Sequence, residues 1–240
     1  MAEKKKICIS IPIKNENSQT NKIQDNIVNI ESAIEKGADL IECRFDYMTH
    51  FDEIDVFLDG ISRFKKKCIY TLRPANQGGN FVNDFDKRST ILKKFINAEP
   101  QFVDIEYEII SANEDLADFT DVSNTKILVS WHDFEKTPSH AELINIVNQM
   151  RIYSPYLKVV TMAQSFDDVL EIFKLYQNVD THVNLVSFAM GESGIVSRLL
   201  CSIIGEAPFT YASLNTPIAP GQLSIEQVNQ FYSILKKKLI

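Results

Sequence analysis

A single lysine interrupts an otherwise uncharged apolar run, Tyr156-Leu-Lys158-Val-Val-Thr-Met162. An ammonium ion there costs several kcal/mol unless it is paired or neutralised. Desolvation and neighbouring cations favour the free amine, and only the free amine attacks a carbonyl to form a Schiff base, so Lys158 is a candidate amine nucleophile. The plainer reading is a lysine near a strand start whose flexible stem carries its charge back to solvent. Other reactive residues close further apolar runs: Ser10, the series Glu42, Arg44 and Asp46, then Arg73, Asp104, Glu106 and Trp131-His132-Asp133, with Arg198 further on. Of these, His132 alone titrates near neutrality and can both take and return a proton. Period-two alternation puts Glu42 and Arg44 on one face and sends Cys43 to the other; Arg73 shares a face with Ile69 and Thr71, so Cys68 points away. The same parity lets Ser10, Glu42, Arg44, Arg73, Glu106, His132 and Lys158 face one centre. Each acid/base pair also has a structural reading, in which Glu42 with Arg44, or Glu106 with Lys158, merely neutralise each other. The four cysteines, Cys8, Cys43, Cys68 and Cys201, show no CxxC spacing or Cys/His pairing, so neither a disulfide framework nor a metal site is indicated.

Eight short apolar runs must position these groups: Ile7 to Ile11, Leu40 to Cys43, Cys68 to Leu72, Phe102 to Ile105, Ile127 to Ser130, Leu157 to Thr161, Val183 to Val186 and Phe209 to Tyr211. Between them lie helical periodicities such as Ile23, Ile27, Ile30, Ile34 and Leu143, Ile146, Val147, Met150. Strands alternating with helices imply parallel pairing through crossovers, and eight such units predict an α/β protein with a (β/α)8 TIM barrel as a single domain over 1–240. A doubly wound sheet would carry a glycine-rich turn after the first strand, where this chain has Ile11-Pro-Ile-Lys-Asn-Glu16. In a barrel the strand carboxyl ends carry the chemistry, which is where the reactive residues fall.

Composition narrows the partners. The formal charge of −7 and pI near 5.2 argue against nucleic acid, which demands clustered Lys and Arg. No stretch approaches the roughly 18 apolar residues of a membrane span, and Ile7 to Ile13 is too short for a signal peptide core, so a cytoplasmic protein is expected. An acidic protein taking an anionic substrate would rely on local focusing by Arg44, Arg73, Arg198 and Lys158, and that cationic cluster would also favour the free amine of Lys158.

Six motifs in order resemble the type I 3-dehydroquinate dehydratases, over nearly the whole length: Ala38-Asp-Leu-Ile-Glu-Cys-Arg-Phe-Asp46; Tyr70-Thr-Leu-Arg73 with Gly78-Gly79; Ser130-Trp-His-Asp-Phe134; Lys158-Val-Val-Thr-Met162 with Gln164-Ser165; Met190-Gly-Glu-Ser-Gly-Ile-Val-Ser-Arg198; and Ala219-Pro-Gly-Gln222. The resemblance implies a (β/α)8 hydro-lyase of the shikimate pathway and aromatic amino-acid biosynthesis. Such an enzyme eliminates water from 3-dehydroquinate to give 3-dehydroshikimate, without metal or cofactor, as a homodimer. It also implies Lys158 as the Schiff-base lysine, His132 as general acid/base and Arg198 as the grip on the substrate carboxylate. Glu42, Arg44 and Arg73 match positions that bind hydroxyls or steady the site, Ser10 a polar wall position, and Gln222 the loop closing after the eighth strand. Two positions depart from the family pattern: Gln77 stands where a glutamate is common, predicting weaker tuning of His132, and Ile218 replaces a polar residue, so that one substrate hydroxyl either loses a partner or binds Asn215 or Thr216 instead. The competing readings are a class I aldolase-type Schiff-base barrel, which would require a phosphate cradle after strands seven and eight, and an inactive barrel kept as a binding scaffold.

Overall fold

The computed structural model describes residues 5–15, 22–82 and 84–238. Eight strands, β1 (Ile7–Pro12), β2 (Leu40–Arg44), β3 (Cys68–Thr71), β4 (Phe102–Glu106), β5 (Ile127–His132), β6 (Tyr156–Met162), β7 (Asn184–Met190) and β8 (Thr210–Ser213), pair in parallel in the order β7-β6-β5-β4-β3-β2-β1-β8. Among the described residues β7 and β8 share no ladder, so the barrel is nearly closed. The helices are α1 (Lys22–Glu35), α2 (Ile54–Gly60), α3 (Phe85–Asn97), α4 (Tyr107–Ser111), α5 (Glu114–Asp121), α6 (His140–Met150), α7 (Phe166–Asn178), α8 (Ile195–Ile204) and α9 (Ile225–Lys238). The predicted barrel stands. Strand β7 runs four residues beyond the expected Val186, because Phe188 and Met190 continue the inward-facing series.

Local sequence fixes where the helices begin. Ser139 with Glu142 and Ser165 with Asp168 form capping boxes at the starts of α6 and α7, and Asp84 and Asn113 accept the backbone N–H of Lys87 and Leu116 at α3 and α5. Each satisfies amide donors that the first helical turn leaves unpaired.

Alternation sorts the strand residues into two cores. Odd positions of β1, with Cys43, Cys68, Tyr70, Val103 and Val129, pack outward against the helices. Cys8, Leu40, Ile69, Phe102 and Leu128 point inward and make an apolar floor with Phe209 and Tyr211. Two residues further along the same strands the inward positions become Ser10, Glu42, Thr71, Asp104 and Ser130, and the register sets Ser10 beside Glu42, Thr71 beside Asp104 and Ser130 beside Lys158. The carboxyl-terminal half of the barrel is therefore a buried polar layer resting on an apolar one.

Candidate active site

Ser10, Glu42, Arg44, Arg73, His132, Lys158, Arg198 and Gln222, each expected from the sequence to reach the site, all line one cavity of about 160 Å³ at the carboxyl ends of the strands, the size of one small molecule rather than a polymer. Lys158 extends inward from the middle of β6 and is buried. Its Nζ lies 3.2 Å from Glu42 Oε1, 3.2 Å from Asp104 Oδ2 and 4.5 Å from the centroid of the Tyr211 ring. The stem does not carry the charge to solvent. Its nearest charged neighbours are carboxylates, where the sequence reading expected cations, because each arginine is turned to a carboxylate partner or away.

Those partners also differ from the pairings expected. Glu106 does not meet Lys158; it is held by Arg73 Nη1 at 2.6 Å and by Arg88 from α3. Arg44 does not neutralise Glu42 alone but forks onto Asp46, with Nε to Oδ1 at 2.7 Å and Nη2 to Oδ2 at 2.9 Å, because the chain turns immediately after β2 and brings Asp46 within reach. Arg73 reaches Asp104 at 2.7 Å through Nη2, and its Nη1 also donates to Ser130 Oγ at 2.8 Å. Burial alone would raise both carboxyls beside Lys158. Lys158 and Arg44 outweigh it at Glu42, which is held below its ordinary value, aided by the Ser10 hydroxyl donating to Oε2 at 2.6 Å. Asp104 is brought down to about 2 against the same burial by Arg73 and Lys158, with Ser130 donating to its Oδ1 at 2.6 Å.

His132 ends β5, half-buried, with its ring stacked on Phe134. Burial first, then Arg73, Lys158 and Arg44, hold its pKa well below the ordinary 6.5, so the ring is neutral at physiological pH rather than titrating near it. Its Nδ1 is 3.3 Å from Gln77 Oε1 and 3.5 Å from Arg73 Nη1. Both Nη1 hydrogens are already committed to Glu106 and Ser130, which leaves the histidine to donate Nδ1–H to the Gln77 carbonyl and keep Nε2 as the free base. The amide at position 77 thus still orients the imidazole; what it lacks is the negative charge that would stabilise the imidazolium.

Arg198 enters from α8, where β7 and β8 form no ladder. Its guanidinium lies 4.1 Å over the Phe188 ring, Nη2 donates to the Pro220 carbonyl at 3.3 Å and, among the described residues, Nε has no partner. Among the described residues it is the buried arginine without a carboxylate beside it, and burial pushes its pKa down to about 10. The loop after β8 covers the pocket beside it. Gln222 braces that loop, with Oε1 accepting Ile218 N–H at 2.9 Å and Nε2 donating to the Ala212 carbonyl at 3.2 Å. Ile218 lines the cavity, whereas Asn215 and Thr216 are exposed and do not. Gly221, at φ +69°, approaches Gly191 so closely that a Cβ would sit 2.5 Å from its carbonyl oxygen.

Several participants went unassigned from the sequence. Asp104 shares parity with Glu106, so alternation pointed to it. Tyr211 and Asp46 carried weaker signals, and nothing marked Arg88, an apparently ordinary helix residue. No cluster of three or more metal-ligating side chains occurs among the described residues.

The family model for type I 3-dehydroquinase matches residues 7–239. A 3-dehydroquinate dehydratase from Thermococcus onnurineus is 33% identical over 212 residues, spanning 86% of this chain and 94% of that protein. One from Methanocaldococcus jannaschii is 34% identical over 205 residues, spanning 84% and 89%. Among solved structures, a type I 3-dehydroquinate dehydratase from Clostridium difficile superimposes with a TM-score of 0.83 over 97% of this chain and 92% of that one, at 24% identity, a likeness of fold.

Proposed function

The chain belongs to the type I 3-dehydroquinase family, and on that premise we propose that it dehydrates 3-dehydroquinate to 3-dehydroshikimate with Lys158 as the imine-forming amine and His132 as the proton carrier. The observation that carries the reading is the meeting, in one small cavity, of a buried lysine amine, a neutral histidine and an arginine with no carboxylate of its own.

Arg198 takes the substrate carboxylate, which supplies the anion it lacks. The free-amine form of Lys158, its proton released to solvent, adds to the ketone carbon; the ammonium form is the one held by Glu42 and Asp104, both 3.2 Å away. Loss of water gives an iminium, a stronger electron sink than the ketone. His132 Nε2 removes a proton from the adjacent carbon, and the released electron pair forms an enamine. The enamine expels the β-hydroxyl, which takes the proton from His132 and leaves as water. Hydrolysis of the remaining iminium frees the product and restores Lys158. One water is lost overall. Arg44, Arg73, Glu42 and Ser10 hold hydroxyls or steady these groups, and Gln222 keeps the covering loop in place.

The resemblance extends the proposal to a cytoplasmic homodimer in which the single barrel spans 1–240 and needs no metal or cofactor; sedimentation of the purified protein tests the assembly. The chemistry is tested by incubation with 3-dehydroquinate and borohydride, followed by peptide mass spectrometry. A substrate-derived mass on Lys158, absent from K158M, is the expected result. Product without an adduct would defeat the imine assignment, and neither adduct nor product would favour the aldolase or scaffold readings.

A further inference from the structure

Four carboxylates meet in the polar layer, Glu42, Asp46, Asp104 and Glu106, and all are buried. Four cations oppose them: Arg44 on Asp46, Lys158 between Glu42 and Asp104, Arg73 between Asp104 and Glu106, and Arg88 on Glu106. The charges cancel, which leaves Arg198 for an incoming anion. Three of the four cations belong to strands or strand ends and line the cavity, whereas Arg88 does neither. It stands on α3, outside the barrel, where its side chain would ordinarily end in water. Instead it is only 6% exposed, its Nε donates to the Leu72 carbonyl at 3.2 Å and its Nη2 meets Glu106. Leu72 immediately precedes Arg73, and Glu106 grips Arg73 Nη1. One guanidinium therefore holds both the backbone before Arg73 and the carboxylate that aims it.

Burying an arginine so far from solvent is costly, and its pKa is driven down to about 10 by burial and by Arg73, against the attraction of Asp104, Glu108 and Asp46. Packing alone would be served better by an apolar residue. What Arg88 supplies is the fourth positive charge. Without it, Glu106 keeps one oxygen unpaired and the layer carries an uncompensated negative charge beside Arg73, whose Nη1 lies 3.5 Å from His132 Nδ1. The groups facing the imidazole are then Arg73, Lys158 and Arg44 as cations and Gln77 as a neutral acceptor, with no further positive charge to offset Glu106.

We propose that Arg88 is a positioning residue for the dehydration: by balancing Glu106 from outside the barrel, it keeps His132 in the form that can act as the base. Arg88 touches no reacting atom, and the proposal rests on Lys158 and His132 being the amine and the base.

The test is kcat/KM for 3-dehydroquinate against pH in the wild type, R88M, R88K and R88M/E106Q. The acid limb reports the free enzyme's base. In R88M it moves up by roughly one pH unit, the effect of one charge at short range in a partly buried site. R88K keeps the wild-type limb because the charge survives, and R88M/E106Q returns to it because carboxylate and cation leave together. A limb in R88M that stays in place while kcat/KM falls equally at every pH would reduce Arg88 to packing and overturn the proposal. If R88M does not fold, the other two variants decide: the double mutant buries no orphaned carboxylate, and a displaced limb in it or in R88K overturns the proposal equally. Borohydride trapping on the wild type separates the two readings, since a missing Lys158 adduct defeats the Schiff base itself, whereas an adduct with an unmoved R88M limb defeats Arg88 alone.

Discussion

Lys158 and Arg198 are both buried cations of one cavity, yet they are set up for opposite tasks. Lys158 is bracketed by Glu42 and Asp104, and the face of Tyr211 lies against its nitrogen. In the proposed imine mechanism that face stays favourable to the nitrogen, because an iminium keeps the charge while two of the three N–H donors are lost. Among the described residues Arg198 has an aromatic ring and a carbonyl oxygen beside it and no carboxylate, which is the setting the proposed anionic substrate would complete. R198M should raise KM by about 100-fold, equivalent to about 3 kcal/mol for a desolvated charge-assisted hydrogen bond, with a smaller change in kcat. Steady-state kinetics check this, and a fall in kcat at constant KM would place Arg198 elsewhere in the cycle. At this scale the sequence was informative about residue type and parity, as with Glu42, Arg44 and Lys158. It was silent on pairing: nothing in the order of residues says that Arg44 prefers Asp46, or that Glu106 belongs to Arg73 and Arg88.

Helix starts and close-packed turns are local, and they read directly from the chain. Ser139 with Glu142 and Ser165 with Asp168 carry their capping geometry in their spacing. Gly79 is demanded by the backbone: a Cβ there would lie 2.0 Å from the carbonyl oxygen of Arg73. The loop after β8 depends on a comparable approach across the gap between β7 and β8, where Gly221 adopts φ +69° against Gly191. G221A should shift that loop from Arg198 and from the Gln222 brace, lowering kcat/KM by about tenfold or more while the thermal midpoint moves only a few degrees, because the strained element lies at the rim. Unchanged kinetics would show that the loop's placement does not matter to turnover. Beyond these turns, elements became legible through alternation, and β7 outran its expected end because the apolar series through Phe188 and Met190 resembles continued core until the barrel shows which face is inside.

For the molecule as a whole, the buried charged layer couples stability to pH. Asp104, with a folded pKa of about 2 against 3.8 unperturbed, contributes about 2 kcal/mol that is fully present above about pH 4 and lost as pH falls through 2. Glu42 shifts in the same direction and loses its contribution in the same acid range. His132 is also depressed, so its neutral form stabilises the fold above 6.5 and acidification below 6.5 withdraws that support first, since the unfolded chain binds the proton more readily. Chemical denaturation midpoints measured from pH 8 to 2 should therefore fall in two stages, with H132N removing the earlier one; a single carboxylate-range transition in both proteins would contradict the placement of the imidazole. The alternation of apolar runs and helical periods determined a (β/α)8 barrel by itself, because strand parity and parallel crossovers leave few other ways to bury those runs. It also determined which strand-borne residues converge, since in a barrel the carboxyl ends of all strands meet in one place. Only the tertiary structure decided which charges neutralise one another, that Gln77 fixes the tautomer of His132, and that a helix residue, Arg88, reaches the polar layer, because these depend on distances between elements far apart in the chain, which no periodicity encodes.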